Sequence, residues 1–166
     1  MKAVTKFSAD KKYDFKILKA VDAVNESQKR LLVKKIEAHF GSLKGKMIAV
    51  WGLAFKPKTD DMREAPSIPI IEALLAKGAR VQAYDPEAMK VAKGIFGNRI
   101  TYTSKNYDAL KGADALAVIT EWQEFREPDF ARMKKLMRTP VVFDGRNIYQ
   151  RDSMTAQGFT YFSIGR

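Results

Sequence analysis

The chain has 166 residues, 46% of them hydrophobic, with no cysteine, one histidine and a formal net charge of +11. This suits one ordinary domain plus an appendage, with enough apolar mass for a core. Without a thiol there can be no disulfide framework, thiolate zinc site or cysteine nucleophile in the chain, and a lone His39 makes no metal cluster.

No apolar run approaches the roughly 20 residues of a membrane span. The opening MKAVTKFSADKKYDF lacks the apolar core of a secretory signal. A cytoplasmic protein without a membrane partner is therefore expected. The basic residues are scattered: Lys11–Lys12, Lys29–Arg30, Lys34–Lys35, Lys44, Lys46, Lys134–Lys135 and Arg138. No RNA-binding or zinc-finger pattern accompanies them, so they read as solvated helix faces and no nucleic-acid partner is expected.

Residues 14–40 read as one long helix. Leu18, Val21, Leu32, Ile36 and Phe40 recur at a spacing of three to four, and Gly41 ends the helix. Asn25 and Gln28 fall inside this stripe, which suggests packing against another subunit or domain. His39 is expected to be structural. After Gly45 the pattern becomes alternating strand and helix. Strands are predicted at 47–51, 80–84, 100–103, 115–120, 141–143 and 159–164, and helices at 68–76, 87–96, 107–111 and 129–137. Such alternation indicates βαβ units with right-handed crossovers. The fold class is α/β, a Rossmann-like, doubly wound, mostly parallel sheet of about six strands preceded by a long helix. Residues 1–44 form a helical linker region and 45–166 the ligand-binding domain.

In open α/β sheets ligands bind beyond the carboxyl ends of the strands, near the point where strand order reverses. That rule selects Phe55-Lys56 after strand one, Asp85 after strand two, Thr120-Glu121-Trp122 after strand four and Asp144-Gly145-Arg146 after strand five. In the order 3-2-1-4-5-6, strands one and five flank strand four, about 10 Å apart. Lys56 and Arg146 are then candidates to clamp one diphosphate, the lysine as a point charge and the arginine as a planar fork.

The first loop, Gly52-Leu53-Ala54-Phe55-Lys56-Pro57, is not G-x-G-x-x-G, and its bulky residues would block the close backbone approach that glycines permit. Asp85 lies 33 residues beyond Gly52, against the usual ~20 for a ribose-binding acid. Capping the turn with Pro86 is an equal alternative for it. The loop from Lys56 to Ser67 is long and polar, as functional loops often are. Ser67 or a neighbour is expected to cap the helix that follows.

The string GLAFKPKTDDMREAPS (Gly52–Ser67), followed by AYDP (Ala83–Pro86), TEW (Thr120–Trp122) and VFDGRN (Val142–Asn147), resembles the carboxyl-terminal UDP-binding domain of the UDP-glucose 6-dehydrogenases, within the UDP-glucose/GDP-mannose dehydrogenase family. AVNESQKRLLVKKI (Ala23–Ile36) resembles that family's central dimerisation helix. The likeness covers nearly the whole chain in the family's order. It is more specific for nucleotide-sugar dehydrogenases as a group than for UDP-glucose.

The resemblance implies oxidation of UDP-glucose to UDP-glucuronate with NAD, through a cysteine-bound intermediate. Phe55, Lys56 and Arg146 match substrate-contacting positions, and Arg63 matches an arginine that reaches NAD held by the other domain. The implied partners are UDP-glucose or UDP, a second copy met through the central helix, and the absent amino-terminal NAD-binding domain. Since the chain has no cysteine, it is expected to be part of a longer enzyme, inactive alone, with no catalytic residue of its own. The alternatives are a GDP-mannose or UDP-N-acetyl-sugar dehydrogenase, or a non-catalytic nucleotide-binding module.

Overall fold

The computed structural model describes residues 14–165, with Val4 and Phe7 ahead of them; the Lys11–Lys12 pair and the rest of residues 1–13 lie outside the described residues. Helix α1 runs Lys16–Phe40. It is followed by β1 (Met47–Trp51), α2 (Ser67–Ala76), β2 (Arg80–Tyr84), α3 (Met89–Phe96), β3 (Thr101–Tyr102), β4 (Ala115–Val118), α4 (Phe130–Leu136), β5 (Val141–Asp144), α5 (Arg151–Ala156) and β6 (Thr160–Ser163). Short 3₁₀ turns occupy Asn106–Leu110 and Gln123–Phe125. The six strands form one parallel sheet in the order β3-β2-β1-β4-β5-β6. This is the doubly wound order expected from the sequence, with the reversal between β1 and β4.

The side-chain period of two divides the sheet between two cores. Ile48, Val50, Val81, Ala83, Ala115, Ala117, Val141 and Phe143 face the layer of α1, α2 and α3. Ala49, Trp51, Leu116, Val118, Val142 and Tyr161 face the opposite layer, with Phe125, Met133 and Met154. Because both faces are covered, the central strands are unbroken apolar runs. Trp51, Phe125 and Phe143 are fully buried, each contributing about 1.5–3 kcal/mol. His39 lies edge-on to Phe40, Phe143 and Phe162 at 4.7–5.9 Å between ring centres, a packing role.

Only the second half of α1 packs on this domain. Leu32, Val33 and Ile36 are buried, whereas Ile17, Val21 and Val24 are 71%, 37% and 58% exposed. Gly41, at φ 69°, closes the helix by donating its N–H to the Glu37 carbonyl. At α2 the structure corrects the expected cap. Ser67 is already helical, and its hydroxyl donates to the Leu53 carbonyl at 2.5 Å instead of capping the helix. Helix α5 was not foreseen, because RDSMTA buries only Met154 and carries no readable period. Strand β3 is two residues where four were expected, since its pairing with β2 is confined to Thr101 and Tyr102.

Candidate ligand-binding site at the strand ends

Asp85, at the end of β2, organises the first loop. Its buried carboxylate accepts the backbone N–H groups of Leu53 (2.7 Å) and Ala54 (3.1 Å), those of Glu87 and Ala88 (2.9 and 2.8 Å), and the Trp122 indole N–H (3.0 Å). Of its two possible roles the structure selects the turn, and extends it: one side chain joins three strand ends. The N–H of Gly52 goes to the Tyr84 carbonyl and that of Phe55 to the Asp61 carbonyl. The first-loop amides that cradle pyrophosphate in dinucleotide folds are therefore already engaged inside the protein. These residues do not fit the pyrophosphate of NAD.

The loop lies unusually close to β4. At Gly52, φ is 91° and an added Cβ would lie 2.4 Å from Thr120 Cβ, so only glycine fits. The Thr120 hydroxyl donates to the Ala54 carbonyl at 2.6 Å, and Met62 and Ala65 are buried beneath the loop. This anchoring leaves Phe55 projecting, 53% exposed. Further along, Arg63 is 90% exposed and donates to Asp61, whose carboxyl it holds down to about 2.

The β5 end is pinned as firmly. Asp144, fully buried, accepts from the Arg146 and Tyr149 N–H groups and from the Tyr161 hydroxyl. Asn147, at φ 55°, exchanges two hydrogen bonds of 2.9 Å with the backbone of Ile164. Between these anchors Arg146 extends to Glu121 beyond β4, donating from Nε and Nη2 to the two carboxylate oxygens. Burial alone would raise the Glu121 carboxyl; the Arg146 bonds, its own backbone N–H and the nearby Arg146 and Arg126 charges hold it below the ordinary value.

A cleft of about 680 Å³ opens between these strand ends and α1. Phe55, Glu64, Pro66, Ile119, Gly145 and Arg146 line it from the domain, and Asp22, Asn25, Glu26, Gln28, Lys29 and Leu32 from the helix. Phe55 and Arg146 thus both line it. Lys56, exposed on the adjoining turn, and Arg63 do not. Asn25 and Gln28, which the sequence pattern assigned to packing, face the cleft. Lys29 and Glu64 were missed. Lys29 donates to Glu26 at 2.8 Å and lies 3.8 Å from Glu64, so it bridges helix and loop. The signal was present in the sequence: Asp22, Asn25, Lys29, Leu32 and Ile36 continue one stripe, and its buried end fixes where its polar end points. With Asp22, Glu26 and Glu64 set against Lys29 and Arg146, the cleft does not carry the chain's net positive charge. Among the described residues no group of His, Asp and Glu side chains is placed to hold a metal, and no helix is long and apolar enough to cross a membrane.

The topology and the strand-end cleft define a Rossmann-like ligand-binding domain whose first-loop amides are withdrawn from phosphate binding. The chain belongs to the UDP-glucose/GDP-mannose dehydrogenase family, and residues 49–151 match that family's UDP binding domain. It is 44% identical to a UDP-glucose 6-dehydrogenase of Pseudomonas aeruginosa, over 100% of this chain and 38% of that protein. A UDP-glucose 6-dehydrogenase of Bacillus subtilis is 43% identical over 99% of this chain and 37% of its own length. The solved UDP-glucose dehydrogenase of Pyrobaculum islandicum superposes with a TM-score of 0.81 at 32% identity, covering 98% of this chain and 35% of that one. The chain thus spans less than two fifths of each of these relatives.

Proposed function

We propose that the chain is the UDP-sugar-binding part of a UDP-glucose 6-dehydrogenase, an NAD-dependent, cytoplasmic oxidoreductase that converts UDP-glucose to UDP-glucuronate. The observation that carries this reading is the strand-end cleft that Phe55 and Arg146 both line, in a domain that matches the family's UDP binding domain. An exposed aromatic ring and a guanidinium suit a ligand with a ring at one end and phosphate oxygens at the other. Lys56, exposed on the turn next to Phe55, is a second cation for the ligand's phosphates. Arg63, almost fully exposed beyond the cleft and steadied by Asp61, is presented to a cofactor held outside this chain.

The division of labour follows from the residues. This part binds and orients the nucleotide sugar, while the thiol and the NAD site lie outside it, since the chain has no cysteine and its first loop does not fit pyrophosphate. Alone, it binds without oxidising. The exposed ridge of Ile17, Val21 and Val24 supports pairing with a second copy through α1. Calorimetric titration with UDP, UDP-glucose, GDP and NAD tests the reading. Heats for the two uridine ligands alone are expected; a response to GDP but not UDP would move the assignment to a guanine-nucleotide sugar, and silence with all four would refute binding by this part.

A further inference from the structure

Resting on that reading, we infer that Glu121 is a positioning residue for ligand binding, holding the Arg146 guanidinium in the orientation that meets the ligand. Both backbones are fixed. Glu121 stands between Thr120, bonded to the Ala54 carbonyl, and Trp122, whose indole N–H goes to buried Asp85. Arg146 stands between Gly145, where an added Cβ would meet the Val118 carbonyl at 2.9 Å, and Asn147, bonded twice to Ile164. What remains soft are the two side chains, and Glu121 takes the arginine by Nε and Nη2.

Of the five guanidinium N–H donors, two are used and three remain for a ligand. Arg146 lines the cleft and Glu121 does not, so Glu121 acts on a ligand through Arg146. Two opposed effects follow from such a carboxylate. It lowers the local positive potential, which weakens anion binding, and it removes the freedom of a long side chain, which strengthens binding. The pair is open to water, with 39% of the arginine and 24% of the glutamate side chain exposed. Solvent therefore screens the charge effect, while the saved ordering of a rotamer-rich side chain persists. Pre-organisation wins.

The test is a double-mutant cycle in UDP titrations of this chain. Arg146→Ala should weaken binding about tenfold or more, and Glu121→Ala about three- to tenfold. Glu121→Gln, which keeps one acceptor oxygen, should recover part of that loss. The double alanine variant should bind no more weakly than Arg146→Ala alone. Multiplying losses, or a Glu121→Ala variant binding as tightly as the parent, would overturn the inference while leaving the site intact. An unchanged Arg146→Ala would overturn the site itself. Independently of any ligand, the Arg146 Nε–H resonance should be protected from solvent exchange in the parent and lose that protection in Glu121→Ala. Equal exchange in both would also sink the inference.

Discussion

The Asp85 carboxylate accepts the Trp122 indole N–H at 3.0 Å and through it ties the end of β2 to the loop after β4, across the point where strand order reverses. Four backbone N–H groups share the same carboxylate. Asp85→Ala strands these donors in a buried place, and each unsatisfied donor costs about 1–3 kcal/mol. The variant should lose at least about 3 kcal/mol in urea unfolding. A loss near zero would mean that the loop is not held by this residue.

Gly52 is the second keystone. An alanine there combines left-handed strain of about 1–2 kcal/mol with overpacking of about 1–3 kcal/mol, since its methyl would press on Thr120. Gly52→Ala should lower stability by the sum, about 2–5 kcal/mol, and displace Phe55 from the cleft. Thermal unfolding together with UDP affinity checks both halves of the expectation.

The contrast between these anchors and the ligand-facing residues shows what could be read from the sequence. Most elements were legible because buried parallel strands are unbroken apolar runs and their helices carry clear periods, and the strand order came from the doubly wound class that such alternation implies. Helix α5 and the turn at Gln123–Phe125 have too few apolar residues for any period. The importance of Asp85 was half legible. Asp-Pro announces a turn, but nothing local reveals that Leu53, Ala54 and Trp122 converge on one carboxylate. Likewise Arg146 and Glu121 could both be picked from their strand ends, whereas their pairing depends on the register of β4 with β5. Lys29 sits on a legible stripe, but a cation on a long helix looks solvated until the helix is seen to cross the cleft.

At the opposite end of the central strands, buried Asp114 accepts from the Met47 N–H and from Arg138, and Lys46 lies 4.0 Å away. Burial works to raise this carboxyl, but the backbone bond and the two cations outweigh it and leave it below the ordinary value of 3.8. A depressed folded value means that the stability it contributes is fully present above pH 3.8 and is lost as pH falls through the folded value. Asp114→Asn should therefore be less stable than the parent at neutral pH, with the difference shrinking below pH 3.8. Acid titrations of the unfolding midpoint measure this; a constant gap would contradict it.

If the ridge of Ile17, Val21 and Val24 pairs two copies, a charge within it removes the pairing. Val21→Asp should sediment as a monomer at concentrations where the parent dimerises, with the sheet domain as stable as before. Identical sedimentation of the two would remove α1 from the interface.

The claim that a nucleotide sugar sits in the cleft lined by Phe55 and Arg146 is tested most directly by titrating UDP into isotope-labelled chain and following its amide resonances. The expected result is saturable movement concentrated at Phe55, Gly145 and Arg146, with the Asp114 end of the strands still. Movement centred anywhere else, or none at saturating UDP, would contradict the assignment.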